Sequence, residues 1–257
     1  MKIPFIYTIP TWELALFLFA SMMLCIYLGN YIGKRYHKEY EREGTVLGSL
    51  FALLGLLLAF TFSMSVNRHD KRLDIIVEES NDIGTAILRA DLYPEDQRQL
   101  FRADFKQYVE ARIAFFNAGT DLEKIVATQK ESGIISQRMW DRAMQQSKIP
   151  TNQVASMQMI PALNAMIDIT NTRWYANIAK VPDMVLYLLY ILTCSCGFYS
   201  GYLSKANKKI DLVNIMGFCI LTCMVVWVII DMDRPRTGFV NMEKTHQAIV
   251  DLRNMFR

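Results

Sequence analysis

The sequence has little of what enzymes and nucleic-acid-binding proteins usually need. Its 257 residues include only three histidines, His37, His69 and His246, which lie far apart and match no metal-ligand spacing. The sequence contains no phosphate-binding glycine loop and no nucleophile elbow. Basic residues number 28 and acidic residues 25, and the two signs alternate along the chain. We therefore expect no enzyme, no nucleic-acid partner, no metal site and no other cofactor.

Cysteine is also scarce, and its placement indicates a structural role. All five cysteines fall in strongly apolar stretches, at Cys25, Cys194, Cys196, Cys219 and Cys223. Cys194 and Cys196 have no histidine or second cysteine pair nearby. We interpret them as small buried residues rather than as metal ligands.

What the sequence does contain is apolar residues gathered into blocks. Hydrophobic residues make up 52% of the chain, and a helix needs about 20 apolar residues to cross a bilayer. Four blocks reach that length, at about 12–32, 46–66, 184–203 and 212–230. These blocks predict an integral membrane protein with four transmembrane helices.

A polar stretch of about one hundred residues, a plausible domain length, separates the second block from the third. Its apolar residues recur at spacings of three and four, and no run alternates as a strand would. We therefore predict an all-α protein with a helical extramembrane domain inserted between transmembrane helices 2 and 3. The predicted divisions are a first transmembrane hairpin at 1–66, the helical domain at 67–182, and a second hairpin with its tail at 183–257.

The second apolar block runs into charged sequence without a helix breaker. From Ser49 to Leu92 the chain has no proline, and its two glycines, Gly55 and Gly84, each cost only about 1 kcal/mol relative to alanine. We predict one continuous helix from about Gly48 to Leu92.

Two stripes of residues lie side by side on the apolar part of this helix. Leu56, Phe60 and Met64 recur every fourth residue and form a bulky apolar stripe. Small residues, which allow helices to approach closely in membranes, form the adjacent stripe at Ala52, Gly55, Ala59 and Ser63. In a ring of copies the bulky stripe could line a pore and form an apolar constriction. The alternative is that it faces lipid.

The same helix resembles the second membrane helix of bestrophins, which are ion channels with four membrane helices. The resemblance rests on Leu53-Leu54-Gly55, then Phe60, then Arg72, followed by a charged helix. It implies a homo-oligomeric, pentameric ion channel with its neck at Leu56, Phe60 and Met64. Leu73-Asp74 stands where bestrophins have two tryptophans, and Ser63 replaces a glycine. The chain is also similar to bacterial bestrophin-like proteins, whose fourth span often ends in Asp-Arg-Pro followed by Gly, here Asp233-Arg234-Pro235 and Gly238.

The charged residues beyond the apolar part of the helix have two interpretations. In an oligomer they could form rings in a vestibule, and acidic rings would favour cations. Alternatively they form ion pairs on a solvated helix face. The candidates are Arg68, Arg72, Asp74, Glu78, Glu79 and Asp82. At the end of the fourth span we expect Asp231, Asp233 and Arg234 to form a local structural ion pair.

The side of the membrane that holds the helical domain is left open. Lys34, Arg35, Lys38 and Arg42 follow the first helix, which favours an external domain because basic loops stay in the cytoplasm. The bestrophin layout implies a cytoplasmic domain. The expected partners are the lipid bilayer, further copies of the chain and small inorganic ions, in a bacterial inner membrane.

The sequence is also consistent with a second function, which is not a channel. The four spans could only anchor a sensor or scaffold whose helical domain binds a partner. A channel needs a ring of copies, whereas a scaffold needs only a monomer or dimer, so the oligomeric state separates the two.

Overall fold

The predicted all-α class is confirmed. The structure is a computed structural model, and it describes residues 9–36, 43–204, 212–236, 238 and 242–256. Within these ranges the regular structure is helical and no strand occurs. The helices are α1 Thr11–Tyr36, α2 Glu43–Ala90, α3 Glu95–Asn117, α4 Leu122–Gln146, α5 Gln153–Ile178, α6 Asp183–Leu203, α7 Leu212–Met232 and α8 Glu243–Asp251, with short 3-10 turns at Pro150–Asn152 and Leu252–Phe256.

Four of these helices are long and apolar enough to cross a membrane, as the sequence predicted. They are α1, α2, α6 and α7. The four apolar blocks predicted from the sequence fall within them. The protein is therefore an integral membrane protein.

The continuity of α2 is confirmed. It runs for 48 residues, from Glu43 to Ala90, as one α-helix. At 1.5 Å per residue this is about 70 Å, far more than the ~30 Å hydrocarbon core of a bilayer. A turn at Asp91 and Leu92 then leads to Pro94, which precedes the first residue of α3.

The chain divides into two compact units. The first comprises the described residues within 1–68 and 180–234, and the second comprises those within 69–179 and 235–257. Helix α2 supplies its residues up to Arg68 to the first unit and those from His69 to the second.

The tightest helix contact of the first unit joins α1 to α6 through glycines. A Cβ on Gly29 would overlap the carbonyl oxygen of Phe198, and a Cβ on Gly201 would overlap that of Ile26. Gly33 and Gly197 lie one helical turn away and also meet backbone of the facing helix. Both helices thus carry a Gly-xxx-Gly pattern, which permits close backbone approach. From the sequence, close packing was expected at the small residues of α2, and this pair of helices was not identified.

The second unit, called the helical unit from here on, has its own apolar core. Its core contains Ile83, Phe101, Phe105, Met139 and Leu163, none of which has exposed surface. They come from α2, α3, α4 and α5, so each helix supplies one apolar face.

The predicted division at 183–257 includes residues that pack in the helical unit. The prediction places these residues with the second hairpin as a tail. In the structure the described residues between 235 and 256 group with the helical unit, and Met242, Ile249 and Leu252 are buried in its core.

Candidate functional site

Helix α2 is the least covered of the four apolar segments. Only 11% of the residues in its most apolar 18-residue stretch are buried in the chain, against 28–33% in the other three. A long apolar helix that the described residues cover so sparsely is expected to contact lipid or another protein surface.

Both stripes predicted on α2 lie on its uncovered side. Leu56 is 54% exposed and Phe60 65% exposed, while Met64 is partly buried. The small residues are exposed as well, at Ala52, Gly55, Ala59 and Ser63. Among the described residues most of these side chains are thus uncovered, and a role between copies is a proposal.

The opposite side of α2 faces the interior of the first unit. Leu54, Thr61 and Ser65 are buried there. The Ser65 hydroxyl donates to the carbonyl oxygen of Ile229 on α7, with Oγ and O 2.8 Å apart. This contact and the burial of Leu54 fix which face of α2 remains outward.

The Asp-Arg-Pro sequence after α7 lies at a junction of the first unit. Asp233 is buried, and its Oδ2 accepts from the backbone N–H of Val181 at 2.8 Å. Its Oδ1 lies 3.5 Å from Nη1 of Arg68 on α2. Asp233 thus links the end of α7 to α2 and to the residues before α6.

Arg234 and Asp231 are buried at the same end of α7. Nη1 of Arg234 donates to the carbonyl oxygen of Ile9 at 2.6 Å. The sequence predicted a local ion pair of Asp231, Asp233 and Arg234. One salt bridge of Asp233 reaches Arg68, a residue 165 positions earlier in the chain.

Arg72, another candidate for a vestibule or an ion pair, binds backbone carbonyls of the helical unit. It is buried in the helical unit, where its Nε donates to the carbonyl oxygen of Ala176 at 3.1 Å and its Nη2 to that of Ala179 at 2.8 Å. These carbonyls lie at the C-terminal end of α5. A guanidinium group there satisfies carbonyls that lack helix partners and opposes the negative end of the helix dipole.

Glu79, a candidate for either a vestibule or an ion pair, lies inside the helical unit. It has no exposed surface and binds two arginines of the helical unit. Its Oε1 accepts from Nε of Arg112 at 2.5 Å, and its Oε2 accepts from Nη1 of Arg173. Neither partner is among the basic residues of α2. Glu79 is therefore a buried ion-pair residue, and the other acidic candidates differ from it: Asp74 and Glu78 are exposed and Asp82 is partly exposed.

Electrostatics favour the charged form of Glu79. Burial by itself would raise its pKa, but the positive charges and hydrogen bonds of Arg112 and Arg173 outweigh burial and lower the pKa below its ordinary value. Asp82, one turn further along α2, has a raised pKa because of burial and the nearby charges of Glu78 and Glu79. Two carboxylates on one helix face thus differ in electrostatic environment.

Comparison with protein families identifies the chain. The profile described as a Bestrophin-like domain matches residues 15–246. The chain belongs to the Bestrophin-like family. No curated protein and no solved structure gives a significant match. The resemblance inferred from the α2 residues and from Asp233-Arg234-Pro235 is therefore confirmed at the level of the family.

The Bestrophin-like match covers nearly the whole described architecture. It begins within α1, includes α2 to α7, and ends at His246 in α8. The apolar helices thus belong to the family domain. So does the buried group of Glu79, Arg112 and Arg173, called the Glu79 cluster from here on.

Arg112 and Arg173 were not identified from the sequence, although one signal pointed to Glu79. Glu79 lies three residues after Ile76 and four before Ile83, on the face of α2 that both isoleucines bury. An acidic residue on an apolar face requires a buried partner. Arg112, in turn, lies within the apolar run from Ala111 to Phe116.

No metal site is visible in the part of this Bestrophin-like protein that the structure describes. There, no three histidine, cysteine, aspartate or glutamate side chains come together in a way that could hold an ion. Cys196, Cys219 and Cys223 are buried, and Cys25 and Cys194 are partly buried.

Proposed function

We propose that this protein is the subunit of a homo-oligomeric ion channel in which α2 lines the pore. The observation that carries the proposal is the sparse coverage of α2 by its own chain, with 11% of its apolar stretch buried. Membership of the Bestrophin-like family supports it, since the resemblance to bestrophins implies an ion channel.

In this proposal the two stripes of α2 have different roles. The small stripe packs against the neighbouring copy, because small side chains let helix backbones approach. The bulky stripe of Leu56, Phe60 and Met64 faces the axis and narrows it. An apolar constriction of this kind resists passage by excluding water.

The helical unit is proposed to lie outside the membrane, inserted between the second and third membrane helices. Its surface is consistent with contact with water, since α2 exposes Asp74 and Glu78 there. In an oligomer these carboxylates would surround the axis and favour cations. By the bestrophin resemblance we propose five subunits, in a bacterial inner membrane.

The mass of the purified assembly tests the proposal. The wild-type protein should be a closed ring of several copies in mild detergent and in nanodiscs, measured by native mass spectrometry or by light scattering. A monomer at every protein concentration would contradict the channel and would favour a membrane-anchored sensor or scaffold.

A further inference from the structure

Three arginine side chains of the helical unit surround one phenyl ring. The guanidinium carbons of Arg112, Arg173 and Arg236 lie 4.5, 5.7 and 4.6 Å from the centroid of the Phe115 ring. All three distances are within the range of cation–π attraction. The ring lowers the cost of burying these groups without neutralising their charge.

Positive charge exceeds negative charge in this group. Glu79 binds Arg112 and Arg173, so one carboxylate faces three guanidinium groups and leaves an excess of two positive charges. The buried Nη2 of Arg112 has no hydrogen-bond partner among the described residues. Buried charge without compensation is costly, which favours a further anion in this region.

Arg236 is the arginine that lacks a carboxylate partner among the described residues. Its Nη1 donates to the carbonyl oxygens of Phe115 at 3.0 Å and Gly119 at 3.1 Å, at the end of α3. Burial, and then the charges of Arg173 and Arg112, lower its pKa to about 10. The two charges that shift its pKa are thus both repulsive.

A cavity of about 210 Å³ lies beside Arg173 and Arg236. Asn177 also lines it and brings an amide that can donate hydrogen bonds. Much of the remaining wall is apolar, at Ile76, Phe116 and Met242. The cavity therefore combines a cationic wall with an apolar wall.

We propose that this cavity binds a small organic carboxylate, with its anionic head against Arg173 and Arg236 and its short hydrocarbon part against the apolar wall. The planar fork of arginine matches the two oxygens of a carboxylate. The cavity is smaller than the roughly 300–1,000 Å³ of pockets for drug-sized molecules. The ligand is thus limited to a few non-hydrogen atoms.

The test is isothermal titration of the full-length protein in detergent with acetate, butyrate and inorganic phosphate at constant ionic strength. Butyrate should bind more tightly than acetate, because its longer chain covers the apolar wall, and phosphate should bind most weakly. Binding is measured without ion flux, so this proposal and the channel proposal fail independently.

Two variants and a matched control make the test specific. Asn177→Leu keeps every arginine but removes the amide and narrows the cavity, and Arg236→Lys keeps the charge but removes the fork. Each should weaken butyrate binding by about tenfold, the loss expected when a hydrogen bond to a charged group is removed. Arg253→Gln removes an exposed arginine that pairs with Glu110 outside the cavity, and it should bind as the wild type does.

Three results would overturn the proposal. The first is the absence of binding heat for all three anions. The second is equal butyrate affinity in the wild type and Asn177→Leu, both with the same oligomer mass. The third is tighter binding of phosphate than of either carboxylate, which would overturn the carboxylate as the ligand class.

Discussion

Nε of Arg112 lies 2.5 Å from Oε1 of Glu79, and neither side chain has any exposed surface. Glu79→Gln would leave Arg112 and Arg173 buried without their shared counter-charge. Removing one partner of a buried ion pair costs about 3–5 kcal/mol. We expect a clear fall in the midpoint of thermal unfolding, measured in detergent.

The neighbouring residue supplies the control for that prediction. Glu78→Gln removes the same charge from the exposed face of α2 and should leave the unfolding midpoint nearly unchanged. Equal midpoints for the two variants would contradict a structural role for the Glu79 cluster.

Stability should fall at moderately low pH because of His246. This side chain is buried and its ring stacks on Phe116 with 3.8 Å between centroids. Burial, and then the charge of Arg173, lower its pKa from 6.5 to about 4, with Arg112 lowering it further and Glu79 raising it. At pH values between about 4 and 6.5, His246 binds a proton in the unfolded protein but not in the folded protein. The contribution of neutral His246 to the free energy of unfolding is therefore fully present above pH 6.5 and is lost as pH falls towards about 4.

His246→Phe tests this pH dependence. It retains a ring against Phe116 and removes the titrating group. One pKa unit corresponds to about 1.4 kcal/mol. Across this pH range the free energy of unfolding of the variant should therefore fall by up to about 3 kcal/mol less than that of the wild type. Thermal unfolding over a pH series measures it, and identical pH profiles would exclude His246 as the source.

The sequence was sufficient to predict the membrane helices and the length of α2. Apolar blocks of about 20 residues are a strong signal, and the stretch from Ser49 to Leu92 has no breaker apart from two glycines. The helix class of the middle region followed from its spacing of three and four. These features depend on neighbours within one or two helical turns, so the local sequence contains the information.

The partners of buried charges could not be predicted in the same way. Glu79 binds residues 33 and 94 positions away, and several basic residues of α2 were nearer in sequence. Only the folded helical unit decides which arginine reaches it. The same holds for Asp233, whose partner Arg68 lies on another helix.

Close packing of α1 on α6 should depend on Gly201. In Gly201→Ala the new Cβ would overlap the carbonyl oxygen of Ile26, and overpacking of this kind costs about 1–3 kcal/mol. Gly217→Ala is the matched control on α7, because no atom lies within 4 Å of the position that a Cβ would take there. Thermal unfolding should show a lower midpoint for the first variant alone. A similar midpoint for both would mean that the α1–α6 contact tolerates a methyl group.

The small stripe of α2 should matter to the oligomer and not to the single chain. A Cβ on Gly55 meets open space within the chain, so Gly55→Leu leaves the subunit fold intact. It should nevertheless weaken assembly if this stripe contacts a second copy, because Leu holds the helices apart. Native mass measurement compares it with Gly217→Leu, which should retain the wild-type mass. An unchanged mass for Gly55→Leu would place the subunit contact elsewhere.

The most direct test of the channel is ion flux through reconstituted wild-type, Phe60→Ala and Phe62→Ala proteins. Phe60 is 65% exposed and Phe62 41% exposed. Because the two residues are two positions apart on a helix, their side chains point to different sides of α2. If Phe60 narrows an apolar constriction, its replacement by alanine widens and wets the pore, so flux rises. Phe62→Ala should conduct as the wild type does, with oligomer mass unchanged in all three. Equal flux through all three proteins, or no flux through any of them, would contradict a pore lined by this face of α2.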